Sequence, residues 1–216
     1  MIVIVVSLLA VLALTASMRA GAGIPPGASA TGRPDTAELL REAGVREAGF
    51  RFDPAITAPD RQAIADAVAS ARPEAQRLVA IVDGLTTIRL ATLDSHTAGE
   101  ARPTAEGYEL TLDLGTVHSN HGVRGVRRLV LHELGHVVDD ALLTDALRSS
   151  LDAGIPPGWP CDPGTPQGSC APVYERFAES FAKWATGDIG VDLYLGYQVP
   201  PPALESWGRP LTTLGA

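Results

Sequence analysis

Apolar residues recur at intervals of three and four along residues 123–141, which is the clearest periodic pattern in the chain. That period predicts an α-helix, and the apolar positions cover so much of its circumference that we expect the helix to be buried. His132, Glu133 and His136 fall on the remaining polar side, so this side is expected to face an interior cavity. The candidate N-caps of the helix are Ser119, Asn120 and His121.

Three further segments have a helical pattern. Residues 59–82 carry apolar positions at helical spacing, and Pro73 is expected to divide or kink them. Residues 144–151 predict a short helix. Pro172 and Gly187 are typical of the start and the end of a helix, so a last helix is predicted between them.

Two segments have the pattern of β-strands. Residues 85–93 are rich in β-branched side chains, and residues 107–117 alternate between apolar and polar positions. We expect these strands to be antiparallel neighbours joined by a polar loop at 94–106. Residues 194–216 show no clear period and are expected to wrap the surface. Helices backing a small sheet indicate an α+β fold.

The buried helix contains the motif H-E-x-x-H at residues 132–136. Two imidazoles four residues apart lie one above the other on one side of a helix, so His132 and His136 can bind the same Zn²⁺. Glu133 can reach water at that ion and serve as a general base. Two histidines at helical spacing by chance are the alternative, but polar groups are costly in a buried helix unless something compensates them. The motif therefore predicts a zinc site.

A catalytic zinc ion needs a third protein ligand and one open position. In the predicted helix after Pro172, Glu175 and Glu179 share one face, next to Ala182, which is small enough for close approach of another helix. We expect one of these glutamates to bind the metal. The other is expected to accept a hydrogen bond from a ligand histidine and so to set its tautomer.

Two alternatives to these glutamate roles stay open. The first is an ordinary amphipathic helix whose glutamates are solvated. The second is a ligand from Asp139 or Asp140, but both continue the same helix past His136, so their carboxylates project a turn beyond the metal. We interpret Asp139 and Asp140 as groups that support the ligands without binding the metal, or as partners of the end of the helix.

The amino-terminal segment predicts export. Residues 2–16 are almost wholly apolar, and a stretch of about fifteen residues suits a signal-peptide core better than a membrane span. Residues 20–22 have the A-x-A pattern of a cleavage site, although no Lys or Arg precedes the apolar stretch, so an uncleaved anchor is the alternative. Residues 1–22 are therefore interpreted as a signal peptide or anchor, 23–34 as a flexible linker, and 35–216 as one domain. The domain would be secreted, or extracytoplasmic and anchored by residues 2–16.

Cysteine use agrees with export. Cys161 and Cys170 flank a loop rich in Pro and Gly, and a pair of cysteines in a secreted chain predicts a disulfide. Closing this short loop would stabilise the fold by roughly 2–3 kcal/mol. A zinc site at these cysteines would need further thiols or a nearby pair of histidines, which that stretch lacks. The net charge of −8 argues against nucleic acid as a partner.

HELGHVVDD at 132–140 and ERFAESF at 175–181 resemble the gluzincin metallopeptidases, most closely the catalytic domain of the anthrax lethal factor type and its small secreted relatives. The resemblance implies a zincin-like fold with a small twisted mixed sheet, a backing helix, the H-E-x-x-H helix and a carboxy-terminal glutamate helix. It also implies that Glu133 is the general base. The ligands that it implies are His132, His136 and Glu175, with Glu179 beside them. No metzincin pattern follows His136.

The chain departs from that family in one respect. The family places a tyrosine several residues before the ligand glutamate to stabilise the oxyanion, whereas residues 168–172 contain none and Tyr174 is too close to match. Other possible donors are Tyr194, Tyr197, His118 and His121. The oxyanion donor is therefore unassigned.

These observations together predict an exported zinc metallopeptidase that acts on a peptide or protein as a monomer. An extended peptide is expected to pair with a sheet edge formed by residues 107–117. Two alternatives are a zincin-fold binding or structural protein with little or no hydrolysis, and a toxin-like protease with a single partner substrate.

Overall fold

The computed structural model describes residues 49–94, 97–156, 172–191, 193 and 199–214. All of them belong to one of the two units into which the chain divides, Arg33–Ala216. The predictions for residues 1–22, for residues 23–34 and for the Cys161–Cys170 disulfide lie outside the described residues. Within the described ranges, no helix combines the length and the hydropathy of a membrane span.

The described residues form an α+β fold with a small mixed sheet, as the sequence predicts. The strands are β1 (Arg51–Phe52), β2 (Thr86–Leu90), β3 (Gly99–Thr104) and β4 (Gly107–Leu112). The helices are α1 (Ala58–Ala69), α2 (Pro73–Val82), α3 (Leu114–Leu142), α4 (Asp145–Asp152), α5 (Val173–Thr186) and α6 (Leu204–Gly208). Short 3₁₀ helices occupy Asp83–Leu85 and Arg209–Thr213.

The sheet has the strand order β1-β2-β4-β3. β1, β2 and β4 are parallel, whereas β3 is antiparallel to β4. The prediction that the second predicted strand is antiparallel to the first is therefore wrong. The physical reason is the extra strand β3, which reverses the chain once more before β4 runs back beside β2.

Strand β3 lies where the sequence predicts a polar loop. Its sequence, GEARPT, is mostly polar and has no apolar alternation. Pairing with β4 through a tight hairpin holds it in the sheet. β4 is paired on both sides, so the prediction that residues 107–117 form a sheet edge is also wrong. Within the described part of the chain, β3 is the edge strand on that side.

Helix α3 begins earlier than predicted. Its N-cap is Asp113, whose carboxylate accepts a hydrogen bond from the backbone N–H of Thr116 at 3.0 Å, and not one of the three polar residues at 119–121. Gly122 has φ 62° and ψ −159°, a conformation that glycine adopts at low cost, and it breaks the helix near the predicted start. The first segment of α3 escaped prediction because its residues are mostly polar and exposed.

The other predicted helices are confirmed. Pro73 is the first residue of α2, and Thr144 caps α4. Pro172 precedes α5, which ends at Gly187 in the left-handed conformation. The preference of each of these residues for a helix end depends on the residue itself and not on distant contacts. The sequence alone could therefore predict these helix ends.

The described residues 199–214 lie largely at the surface, as expected, but a few of them anchor the segment in the core. Helix α6 and the 3₁₀ turn after it bury Trp207 and Leu211 against the body of the domain. The indole N–H of Trp207 donates to the carbonyl oxygen of Leu151 at 3.0 Å. Two apolar anchors are too few to produce a recognisable period.

The second segment of α3 runs through the core and makes its most extensive contact with α5. Leu129, Leu131 and Leu134 on α3 and Phe181 and Trp184 on α5 are fully buried. This packing brings the H-E-x-x-H motif against the glutamate helix.

The contact between α3 and α5 is close at Gly135. A Cβ atom built on Gly135 would lie 3.0 Å from Cα of Ala178. We expect Gly135→Ala to lower the free energy of unfolding by about 1–3 kcal/mol, because a crowded core pays for the added methyl group in strain. Chemical denaturation of the metal-free protein measures this.

The matched control is Gly115→Ala in the exposed first turn of α3. A Cβ atom there would meet nothing nearer than Oδ1 of Asp113 at 3.9 Å. The free energy of unfolding of Gly115→Ala should be unchanged or slightly increased, since Ala is a better helix former than Gly. Equal stability of the two variants would contradict close helix packing at Gly135.

Candidate metal centre

The packing of α3 on α5 brings together His132, His136 and Glu175. One potential ligand atom from each residue lies within 4.8 Å of the others. Two imidazole nitrogens and one carboxylate oxygen form the donor set of many three-ligand metal sites with an open fourth position. The described residues thus contain a group that could bind a metal ion.

The three side chains differ in their access to solvent. Oε2 of Glu175 lies 3.0 Å from Nε2 of His132 and 3.7 Å from Nε2 of His136. The His132 side chain is 1 % exposed, whereas those of His136 and Glu175 are 16 % and 29 % exposed. The centre is therefore closed behind His132 and open on the side of His136 and Glu175.

Glu179 lies on the closed side. Nδ1 of His132 donates to Oε2 of Glu179 at 3.1 Å, so carboxylates contact both nitrogens of this ring. A carboxylate on the far nitrogen directs the other nitrogen towards a metal and increases its basicity. The geometry places Glu175 at the centre and Glu179 behind it.

The electrostatics of the centre favour a cation. Burial alone lowers the pKa of His132, but hydrogen bonds to Glu175 and Glu179 outweigh burial and raise this pKa to about 10. For Glu175, burial alone would raise the pKa of the carboxyl. Its hydrogen bonds with His132 and His136 outweigh burial and lower this pKa. Positive charge is thus stabilised between these side chains, here as a proton on His132 that a metal ion would have to displace.

Two buried cations surround the other oxygen of Glu179. Nζ of Lys183 lies 3.2 Å from Oε1, and Nη1 of Arg128 lies 3.8 Å from it. The side chains of all three residues are at most 2 % exposed. Neither cation is among the site residues that the sequence predicts. The available signal is their spacing, since Arg128 is one turn before His132 and Lys183 is one turn after Glu179.

Glu133 lies under the first residue of the edge strand β3. It is buried, and a Cβ atom built on Gly99 would lie 2.7 Å from its Cδ atom and in closer contact still with its Oε1 atom. A side chain at position 99 would therefore collide with the Glu133 carboxylate. Gly99 allows the sheet edge and the H-E-x-x-H helix to approach each other this closely.

Asp139 and Asp140 contact groups outside the centre. Nε of Arg148 donates to Oδ1 of Asp139 at 2.7 Å, which ties the end of α3 to α4. The hydroxyl of Tyr108 donates to Oδ2 of Asp140 at 3.0 Å. Asp139 therefore has the role of a helix-end partner, which the sequence left open.

Of the candidate oxyanion donors, Tyr174 is in contact with a residue of the centre. Its ring centroid is 5.8 Å from that of His136, and the residue is 54 % exposed. His118 and His121 are exposed on the first segment of α3. Tyr194 and Tyr197 lie outside the described residues.

Removal of the two glutamates should have unequal effects on zinc affinity. Glu175→Ala leaves two imidazoles at the centre, so affinity should collapse. Glu179→Ala should raise Kd only by about 10–100-fold, because it removes a group that orients His132 and leaves the three donors in place. Competition with a chromophoric chelator measures both values. A larger loss with Glu179→Ala than with Glu175→Ala would exchange the two roles, and zinc binding unaffected by either change would place the third ligand elsewhere.

Comparisons of the chain with protein-family models, with curated proteins and with solved structures found no match. The centre is therefore defined by its own geometry. Two helices present a His-His-Glu group, with Glu179 behind it and Glu133 beneath the edge of the sheet.

Proposed function

We propose that the chain is an exported zinc-dependent metallopeptidase of the gluzincin type with a zincin-like fold. The observation that carries this proposal is the position of Glu133, which follows His132 in the chain, is close enough to raise the pKa of His132 by its charge, and lies under the edge strand at Gly99. A general base next to both a metal centre and a sheet edge is the arrangement that hydrolysis of an extended peptide requires.

Zinc suits this donor set. His132, His136 and Glu175 supply two nitrogens and one oxygen, which is the ligand set of many hydrolytic zinc sites. A zinc ion there would supply Lewis acidity, which polarises a carbonyl and makes water more acidic. Glu179 would hold the ring of His132 in position, and the open side at His136 and Glu175 would admit the substrate.

The free edge of β3 provides backbone groups for a peptide. The backbone N–H of Asp113 donates to the carbonyl oxygen of Ala98 at 2.9 Å, so Ala98 points towards β4. Because orientation alternates along an antiparallel strand, the backbone groups of Gly99, Ala101 and Pro103 point outwards. An extended peptide would pair with these groups.

Pro103 limits the length of that pairing. It has no N–H, so the outward face of β3 offers donors only at Gly99 and Ala101. The paired peptide would therefore be held beside Gly99, and Glu133 lies directly below that residue. In this proposal the scissile bond would lie at the base, and the protein would recognise a short extended segment.

Glu133 would carry the protons of the reaction. Its carboxylate would take a proton from the attacking water and deliver that proton to the leaving amine, so that one group serves as base and then as acid. Burial of Glu133 keeps the carboxylate in one position and limits competing contacts with solvent.

Glu133→Gln should separate metal binding from turnover. The amide keeps the size of the side chain but cannot accept the proton, so peptide cleavage should fall by about 10²–10⁴-fold while zinc stays bound. Cleavage of a peptide library and metal analysis of the same sample measure the two quantities. Glu106→Gln in the exposed hairpin is the matched control and should keep full activity.

Treatment with a chelator should abolish cleavage by the wild-type chain, and added zinc should restore it. A zinc-loaded wild-type chain that cleaves no peptide in the library would sink the peptidase proposal and favour a zincin-fold binding protein.

A methyl group at position 99 should reduce turnover without removing the metal. In Gly99→Ala the added Cβ meets the Glu133 carboxylate and displaces it, and a shift of about 1 Å can cost about 10²-fold in rate. Kinetics on the best library peptide measure this loss, and metal analysis checks that zinc remains. Wild-type turnover in Gly99→Ala would show that the contact between β3 and Glu133 does not position the base.

A further inference from the structure

The charged side chains behind His132 lose the free energy of hydration when they are buried. Arg128, Glu179 and Lys183 are almost completely removed from solvent. A buried ion pair rarely stabilises a fold more than apolar residues of the same size would, because desolvation offsets the attraction. Stability alone therefore gives a poor reason for placing these charges next to a metal centre.

The two oxygens of Glu179 have different partners. Oε2 accepts from Nδ1 of His132 at 3.1 Å, and Oε1 lies 3.2 Å from Nζ of Lys183. The carboxylate is thus contacted at both ends, by a hydrogen bond at Oε2 and by an ion pair at Oε1. Arg128 approaches Oε1 from α3 at 3.8 Å and also donates to the backbone carbonyl of Asp188.

The positions of the two cations on their helices match the positions of the ligands. Lys183 is one turn after Glu179, which is itself one turn after the candidate ligand Glu175 on α5. Arg128 is one turn before His132 on α3. Glu179 is therefore contacted by a cation from each of the helices that form the centre.

We propose that Lys183 is a positioning residue of the metal centre, which holds the carboxylate of Glu179 against Nδ1 of His132 and so directs Nε2 of His132 to the metal. This inference rests on the proposed zinc binding by His132, His136 and Glu175. Lys183 acts through Glu179 and touches neither metal nor substrate. Without Lys183, Glu179 loses its nearest contact on Oε1, and the hydrogen bond to His132 weakens.

A double-variant cycle on zinc affinity tests this dependence. Glu179→Gln should raise Kd for zinc by about 10–100-fold, and Lys183→Met should raise it on the order of 10-fold. If Lys183 acts through Glu179, the double variant should have the Kd of Glu179→Gln alone. If the two residues act independently, the two factors multiply. A multiplied effect, or a wild-type Kd for Lys183→Met, overturns the proposal.

The matched control is Arg124→Met. Arg124 also lies on α3, but its side chain is 60 % exposed and pairs with Asp188. Removal of this cation should leave Kd within about twofold of wild type, since screening makes exposed pairs weak. A tenfold rise with Arg124→Met would show that loss of any nearby cation disturbs the centre, and would overturn a specific role for Lys183.

Proton NMR of the zinc-loaded protein gives a readout that a purely structural role would leave unchanged. The Nδ1 proton of His132, bonded to Glu179, should give a downfield, slowly exchanging resonance. Glu179→Gln should abolish this resonance, Lys183→Met should shift or broaden it, and Arg124→Met should preserve it. An unchanged resonance in Lys183→Met overturns the proposal.

Folding is checked separately by circular dichroism and thermal unfolding of the metal-free variants. Should Lys183→Met fail to fold, Lys183→Leu replaces it in the same cycle, because it also fills the space with an apolar side chain and removes the contact with Glu179. Zinc binding without peptide cleavage in the wild type would overturn the proposed function and leave this inference standing. A wild-type chain that binds no zinc overturns both.

Discussion

The backbone contact between α3 and α5 is the constraint on which the centre depends. Gly135 has no side chain and faces Ala178, so the approach of the two helices is set almost by backbone alone. His132 contacts both Glu175 and Glu179, whereas His136, one turn later on α3, contacts Glu175. The histidine pair of α3 therefore faces the glutamate pair of α5. A wider separation would move every donor of the group at once.

This contact also explains how charged side chains persist in the core. An isolated charge in such surroundings would be strongly destabilising. Here His132 lies between two carboxylates, and Glu179 lies between His132 and the cation of Lys183. His132, Glu179 and Lys183 thus each have an opposite charge within contact distance. The polar side of α3 is therefore matched by an equally polar side of α5, while aromatic residues of α5 pack elsewhere in the core.

The part of the site that could be predicted from the sequence is the part governed by distances within one helix. His132 and His136, or Glu175 and Glu179, share a helix face wherever the helix lies, because the helical repeat determines it. Arg128 and Lys183 have the same spacing but escaped prediction, because a cation on a helix is usually solvated and only the packing of α3 on α5 buries these two.

The errors in the fold have a corresponding cause. Strand β3 has a polar sequence and exists through its pairing with β4, so no local pattern marks it. A loop in place of β3 also predicts the wrong direction for β4 and the wrong sheet edge. Trp207 escaped for a similar reason, since its burial depends on a distant contact with Leu151. Local preferences predicted the helix ends, and long-range pairing decided the sheet.

Asp113 connects the sheet edge to the metal-centre helix. Its carboxylate accepts from the backbone N–H groups of Thr116 and Leu93, both at 3.0 Å, and its own N–H donates to Ala98. Burial raises the pKa of Asp113, but these two backbone hydrogen bonds outweigh it and lower the pKa. One residue thus joins the start of α3, the segment after β2 and the segment before β3. Because Gly99 follows Ala98 directly, this N-cap also sets the height of the sheet edge above Glu133.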